Sequence, residues 1–94
     1  MYHARIYVTL KATVNDPQGN TIRDALHSLG FTHVEAVRAG KYMDLLLTAA
    51  DEDEGRREVT EMCRKLLANP VIEDFQFELE EVPPGRKPHS RLDL

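Results

Sequence analysis

Residues 2–11 alternate without a break: Tyr2, Ala4, Ile6, Val8 and Leu10 fall on one side, and His3, Arg5, Tyr7, Thr9 and Lys11 on the other. Successive side chains of an extended strand point to opposite faces, so the pattern predicts a strand with one buried and one solvated face. Such a strand needs partners for its backbone and a second layer over its apolar side. The remainder of this 94-residue chain has to supply both, and a chain of that length has room for one core.

The second layer is legible in two stretches of helical period. Asp16 stands where a helix N-cap belongs and Pro17 at the first helical position, where a missing N–H costs nothing. Ile22, Ala25, Leu26 and Leu29 then recur at i, i+3, i+4 and i+7, and Gly30 supplies a left-handed C-terminal residue, so a first helix should end near residue 29. Asp51, followed three residues later by Glu54, resembles a capping box. Glu52 and Asp53 add the acidic first turn that the helix dipole favours. The second helix carries Val59, Met62, Cys63, Leu66 and Leu67 as its core stripe, with Glu61 and Lys65 placed to pair outside it, and Asn69-Pro70 stops it.

Further strands follow from shorter patterns. Val34 and Val37, among polar neighbours in Thr32–Arg38, and the run Lys41–Ala49 read as a β-hairpin across the Arg38-Ala39-Gly40-Lys41 turn. In the later strand Met43, Leu45, Leu47 and Ala49 share a face. Val71–Glu80 returns to period two, with Phe75, Phe77 and Leu79 on one side. The expected fold is α+β, with the order βαββαβ of ferredoxin-like proteins: a mostly antiparallel four-stranded sheet with both helices on one face. Residues 1–80 make the domain, and the proline-rich residues 81–94 should form a loose tail.

Composition narrows the chemistry. Twelve Lys and Arg against sixteen Asp and Glu leave a charge of −4, with no general attraction to nucleic acid or anionic lipid. The longest apolar run, around Leu45–Leu47, is far short of the roughly 20 residues of a membrane span, and residues 1–10 hold no signal-peptide core, so a cytoplasmic protein is expected. Cys63, the one cysteine, sits in the apolar stripe of the second helix, where a thiol behaves as a small hydrophobe. His3, His27, His33 and His89 are scattered over different elements, without the i, i+4 spacing that sets two imidazoles on one metal. The Asp51–Gly55 run lacks the spacing of a calcium loop, since its twelfth position is Met62. With no nucleophile–base set, phosphate loop or metal cluster, the residues point away from catalysis by this chain and from any bound cofactor.

Two turns remain as candidates for contact with a partner. A glycine at the start of the first helix, in Asp16-Pro17-Gln18-Gly19, lets backbone amides approach an anion or another polypeptide. Arg38, Gly40 and Lys41 form a basic turn suited to a partner's acidic groups. Asp16, Gln18, Gly19, Arg38, Gly40 and Lys41 are therefore the predicted interface residues. A regulatory domain of the ACT type shares the element order and has a comparable loop before its first helix, so a small-ligand-binding role stands as the alternative; Gln18 interrupts that loop pattern.

Taken together, Tyr7-Val8-Thr9-Leu10-Lys11, Asp16-Pro17-Gln18-Gly19, Ala25-Leu26-His27-Ser28-Leu29-Gly30-Phe31 and Val37-Arg38-Ala39-Gly40-Lys41-Tyr42-Met43 resemble the PurS family, the small subunit of multi-subunit phosphoribosylformylglycinamidine (FGAM) synthase. The likeness runs from about residue 2 to 80 in order. It implies a bridging subunit of purine biosynthesis, joining a glutaminase subunit that releases ammonia to a large synthase subunit that uses it, with ATP and Mg on the large subunit. Such a chain would assist ammonia transfer without catalysing a step. A small domain with free sheet edges should also pair with itself, as a dimer or tetramer.

Overall fold

The computed structural model describes residues 1–83. Strand β1 (Tyr2–Leu10) lies at the centre of an antiparallel sheet, between β2 (Gly40–Leu47) and β3 (Glu73–Glu81). The register sets Ile6 opposite Met43 and Phe77, and Ala4 opposite Leu45 and Leu79, so the three apolar rows meet on one face. Helix α2 (Glu52–Met62) covers that face, with Val59 and Cys63 wholly buried against Ala4, Ile6 and Val8. Full burial of an aliphatic side chain of this size stabilises by roughly 1.5–3 kcal/mol, and this small cluster is the core. Gly55 admits the close approach of α2, since a Cβ there would stand 3.1 Å from Leu79 Cδ2.

The helix caps form as their sequences require. Asp51 accepts the Glu54 N–H at 2.8 Å, and Lys65 pairs with Glu61. Helix α1 (Pro17–Ser28) ends in a Schellman turn: the N–H groups of Gly30 and Phe31 donate to the carbonyls of His27 and Leu26, and Gly30 takes φ +99°.

Three features depart from the sequence expectation. The sheet has three strands, because Thr32–Arg38 forms no ladder. Gly40 already pairs with Thr9 near the end of β1, so the chain before it runs past the sheet's end, where Arg38 and Ala39 bond to the 11–16 loop instead. Nor do both helices lie on one face: α1 contributes no side chain to the core, and Ile22 and Leu29 of its apolar stripe are exposed, Leu29 at 74%. The end of α2 widens into a π-turn over Cys63–Leu67, closed by Ala68 N–H to the Cys63 carbonyl, and the added rotation turns Leu66 out to 82% exposure. Past residue 80, Glu81 pairs with Tyr2, and Val82 is buried with its N–H on the Met1 carbonyl. The rest of the expected tail, 84–94, lies outside the described residues.

Candidate functional site

Helix α1 belongs to an arm inserted between β1 and β2. An outgoing segment, residues 11–16, leads into the helix, and a return segment, residues 31–39, leads back to the sheet. The six predicted interface residues lie in or beside these segments, and most of them are engaged within the chain. Asp16 is buried and spans the two segments: Oδ1 accepts the Gly19 N–H at 2.9 Å and Oδ2 the Ala39 N–H at 2.8 Å. These backbone donors hold its carboxyl below the ordinary value of 3.8, with Arg38 adding to the effect. Arg38 crosses in the other direction, donating from Nη1 to the Val14 carbonyl at 2.8 Å and from Nη2 to the Lys11 carbonyl at 2.7 Å.

Both glycines serve close packing. A Cβ on Gly19 would stand 2.1 Å from the Val37 carbonyl oxygen, and one on Gly40 would stand 2.6 Å from the Val8 carbonyl oxygen. Lys41 reaches the Leu67 carbonyl at 3.5 Å and Glu73 at 3.7 Å. Gln18 is exposed on the first turn of α1. An anion seated at that turn would meet the Asp16 carboxylate already holding the Gly19 N–H, which disfavours the small-ligand reading of this loop.

What the arm presents outward is apolar. Ile22, Leu29 and Phe31 are 39, 74 and 59% exposed, with Leu26 half-buried between them. Helical stripes of this kind are ordinarily covered, and this one has no cover within the described residues. β2 and β3 are the outer strands of the sheet, and among the described residues no further strand pairs with either.

The opposite face of the sheet carries a polar ladder that sequence reading did not single out. His3 and Asp44, both with fully buried side chains, meet at 2.6 Å between Nε2 and Oδ1, and the Tyr42 hydroxyl donates to the same oxygen at 2.9 Å. Tyr7 stacks obliquely on Tyr42 with centroids 5.2 Å apart and donates to Glu78, while Arg5 pairs with Glu78 and Glu80. Period two places His3 and Asp44 on one face, but their contact is diagonal and visible only once the register is known. On the helix side, burial pushes the Cys63 thiol up, the opposite of what a nucleophile needs. Among the described residues no three His, Cys, Asp or Glu side chains come together to hold a metal ion, and no helix is long and apolar enough to cross a membrane.

The fold and the arm define a class: small α+β domains that turn an apolar helix outward beside two open sheet edges. Comparison with known proteins gives its family. The PurS family model, described as phosphoribosylformylglycinamidine (FGAM) synthase, matches residues 3–81, and the chain belongs to that family. The PurS subunit of FGAM synthase from Bacillus subtilis is 51% identical over 82 residues, which is 87% of this chain and 96% of that protein. The crystal structure of Methanocaldococcus jannaschii PurS, one of the subunits of formylglycinamide ribonucleotide amidotransferase, superposes with a TM-score of 0.79 at 42% identity, covering 88% of this chain and all of that one. A chain in the PurLQS structure from Thermotoga maritima matches with a TM-score of 0.76 at 27% identity, over 85% of this chain and 99% of that one.

Proposed function

We propose that this chain is the small subunit of FGAM synthase in de novo purine biosynthesis, and that it acts in the cytoplasm as a non-catalytic bridge between the glutaminase and the ATP-dependent synthase subunits. Its membership of the PurS family and its likeness to a chain of the PurLQS structure support the setting. The observation that carries the bridging role is the pair of outer strands, β2 and β3, which among the described residues have no partner beyond the central β1 and so leave two edges for two different subunits. ATP and Mg belong to the large subunit in this reading. The small subunit contributes placement: free ammonia protonates in water near neutral pH and loses its nucleophilic lone pair, so a fixed, dry route between two active sites preserves it.

The stripe is assigned to a second copy of this chain. Ile22 on the 12-residue helix α1 and Leu29 and Phe31 just past its end make one exposed apolar side of the arm, and the same side of a second copy offers a self-complementary surface about a two-fold axis. The edges of β2 and β3 then remain for the larger subunits or for a second dimer.

Reconstitution tests the bridge. The large and glutaminase subunits are assayed for FGAM formation with and without this chain, using glutamine or an ammonium salt as nitrogen donor. Omission should abolish the glutamine-dependent rate and spare the ammonium-dependent one. Equal glutamine-dependent rates with and without the chain would refute the role.

A further inference from the structure

We infer that Asp16 and Arg38 form a two-way brace that sets the direction of the α1 arm and, through it, the geometry of self-association; they act as positioning residues and do not themselves touch the second copy. This rests on the assignment of the α1 stripe to a second copy. Hydrophobic packing leaves the arm's direction open, because no α1 side chain enters the core. What ties its two sides together is polar: His27 Nε2 stands 2.6 Å from the Val34 carbonyl oxygen near the far end, and the other ties lie at the base. The outgoing segment sends one carboxylate to the return segment, Asp16 Oδ2 to Ala39 N–H, while the other oxygen of that group caps the helix at Gly19. The return segment answers with the Arg38 guanidinium, whose two terminal nitrogens donate to the Val14 and Lys11 carbonyls. A planar fork bonded to two carbonyls resists rotation in a way that a single contact does not. Between these ties the first turn of α1 is pressed against the return segment where Gly19 meets the Val37 carbonyl.

The lever arm gives the brace its importance. A 12-residue helix is about 18 Å long, so a rotation of about 10° at its base moves its far end by about 3 Å. Leu29 and Phe31, the most exposed apolar side chains of the stripe, sit at that far end. Interface packing is sensitive to displacements of that size.

The test reads arm direction and association separately. Spin labels at Ser28→Cys and Arg57→Cys report the distance from the arm's far end to α2; buried Cys63 is spared under native labelling, and excess unlabelled chain keeps labelled pairs within one protomer. Arg38→Ala should broaden that distance distribution and weaken self-association at least 10-fold by sedimentation, with the circular-dichroism spectrum retained. Arg38→Lys, which keeps the charge but not the fork, should do the same more weakly, and it carries the comparison if Arg38→Ala does not fold. Leu29→Ala should weaken association with the distribution unchanged. Unchanged association in both Arg38 variants would overturn the inference, and so would lost association with an undisturbed distribution, which would make Arg38 a direct contact. If the unaltered chain stays monomeric at millimolar concentration, the second-copy assignment fails and takes the association half of the inference with it; the distance measurement still decides the brace.

Discussion

Asp16 does two jobs with one carboxylate, and its ionisation reports on both. Its folded-state pKa lies below 3.8, chiefly through the Gly19 and Ala39 N–H groups. The ionised form therefore favours folding above that value, and the contribution is lost as pH falls through the lower, folded-state pKa. Asp16→Asn should lower the urea midpoint at pH 7, because an amide offers one acceptor where two donors converge. It should also flatten the acid side of the stability profile below about pH 4. An acid limb identical to that of the parent would show that the two bonds contribute nothing. At the other end of the sheet, His3→Ala removes a hydrogen bond to a fully buried carboxylate. Bonds to charged groups of this kind are worth about 1.5–3 kcal/mol, which a urea titration of the two proteins would resolve.

The elements divide into those that hold the fold and one that does not. Val59 on α2 is fully buried, whereas Leu29 just beyond α1 is 74% exposed. Val59→Ala should cost about 1–3 kcal/mol of unfolding free energy, and Leu29→Ala within about 0.5 kcal/mol under dilute, monomeric conditions. Equal losses would mean that α1 is covered within a single chain. The same division explains what the amino-acid order reveals. The alternation of residues 2–10 and the Asp51 cap report contacts made locally or by one flat face, so β1 and α2 could be placed from them. The stripe of α1 was equally clear, but a stripe says only that a helix has an apolar side, not which surface covers it. Leu66 fits the heptad-like spacing of α2 and is expelled by a π-turn that no residue type announces. Val34 and Val37 fit a strand, yet the ties from Arg38 and Ala39 to the 11–16 loop draw that segment away from the sheet. Asp16, Gly19 and Arg38 were identifiable as special positions. Their intramolecular partners lie more than twenty residues away for Ala39, Val14 and Lys11, beyond the reach of local patterns.

At the scale of the whole molecule, the packed structure extends past the last residue of the alternating pattern to include Val82. Val82 is buried, and its N–H donates to the Met1 carbonyl. A chain lacking residues 81–94 should therefore be less stable than one lacking 84–94, by about 1.5–3 kcal/mol for the lost valine burial. Matched urea titrations of the two truncations measure the difference directly. Equal midpoints would place Val82 outside the cooperative unit.

The central position of β1 also bears on how the protein is made. Tyr2 leaves the ribosome well before one of its two partners, Glu81. Until β3 emerges, the middle strand of the nascent polypeptide has a vacant side, and pairings this distant in sequence form slowly. Until then the nascent polypeptide carries an open strand of the kind that invites association between chains, so the last strand to be made is also the one that seals the sheet's centre.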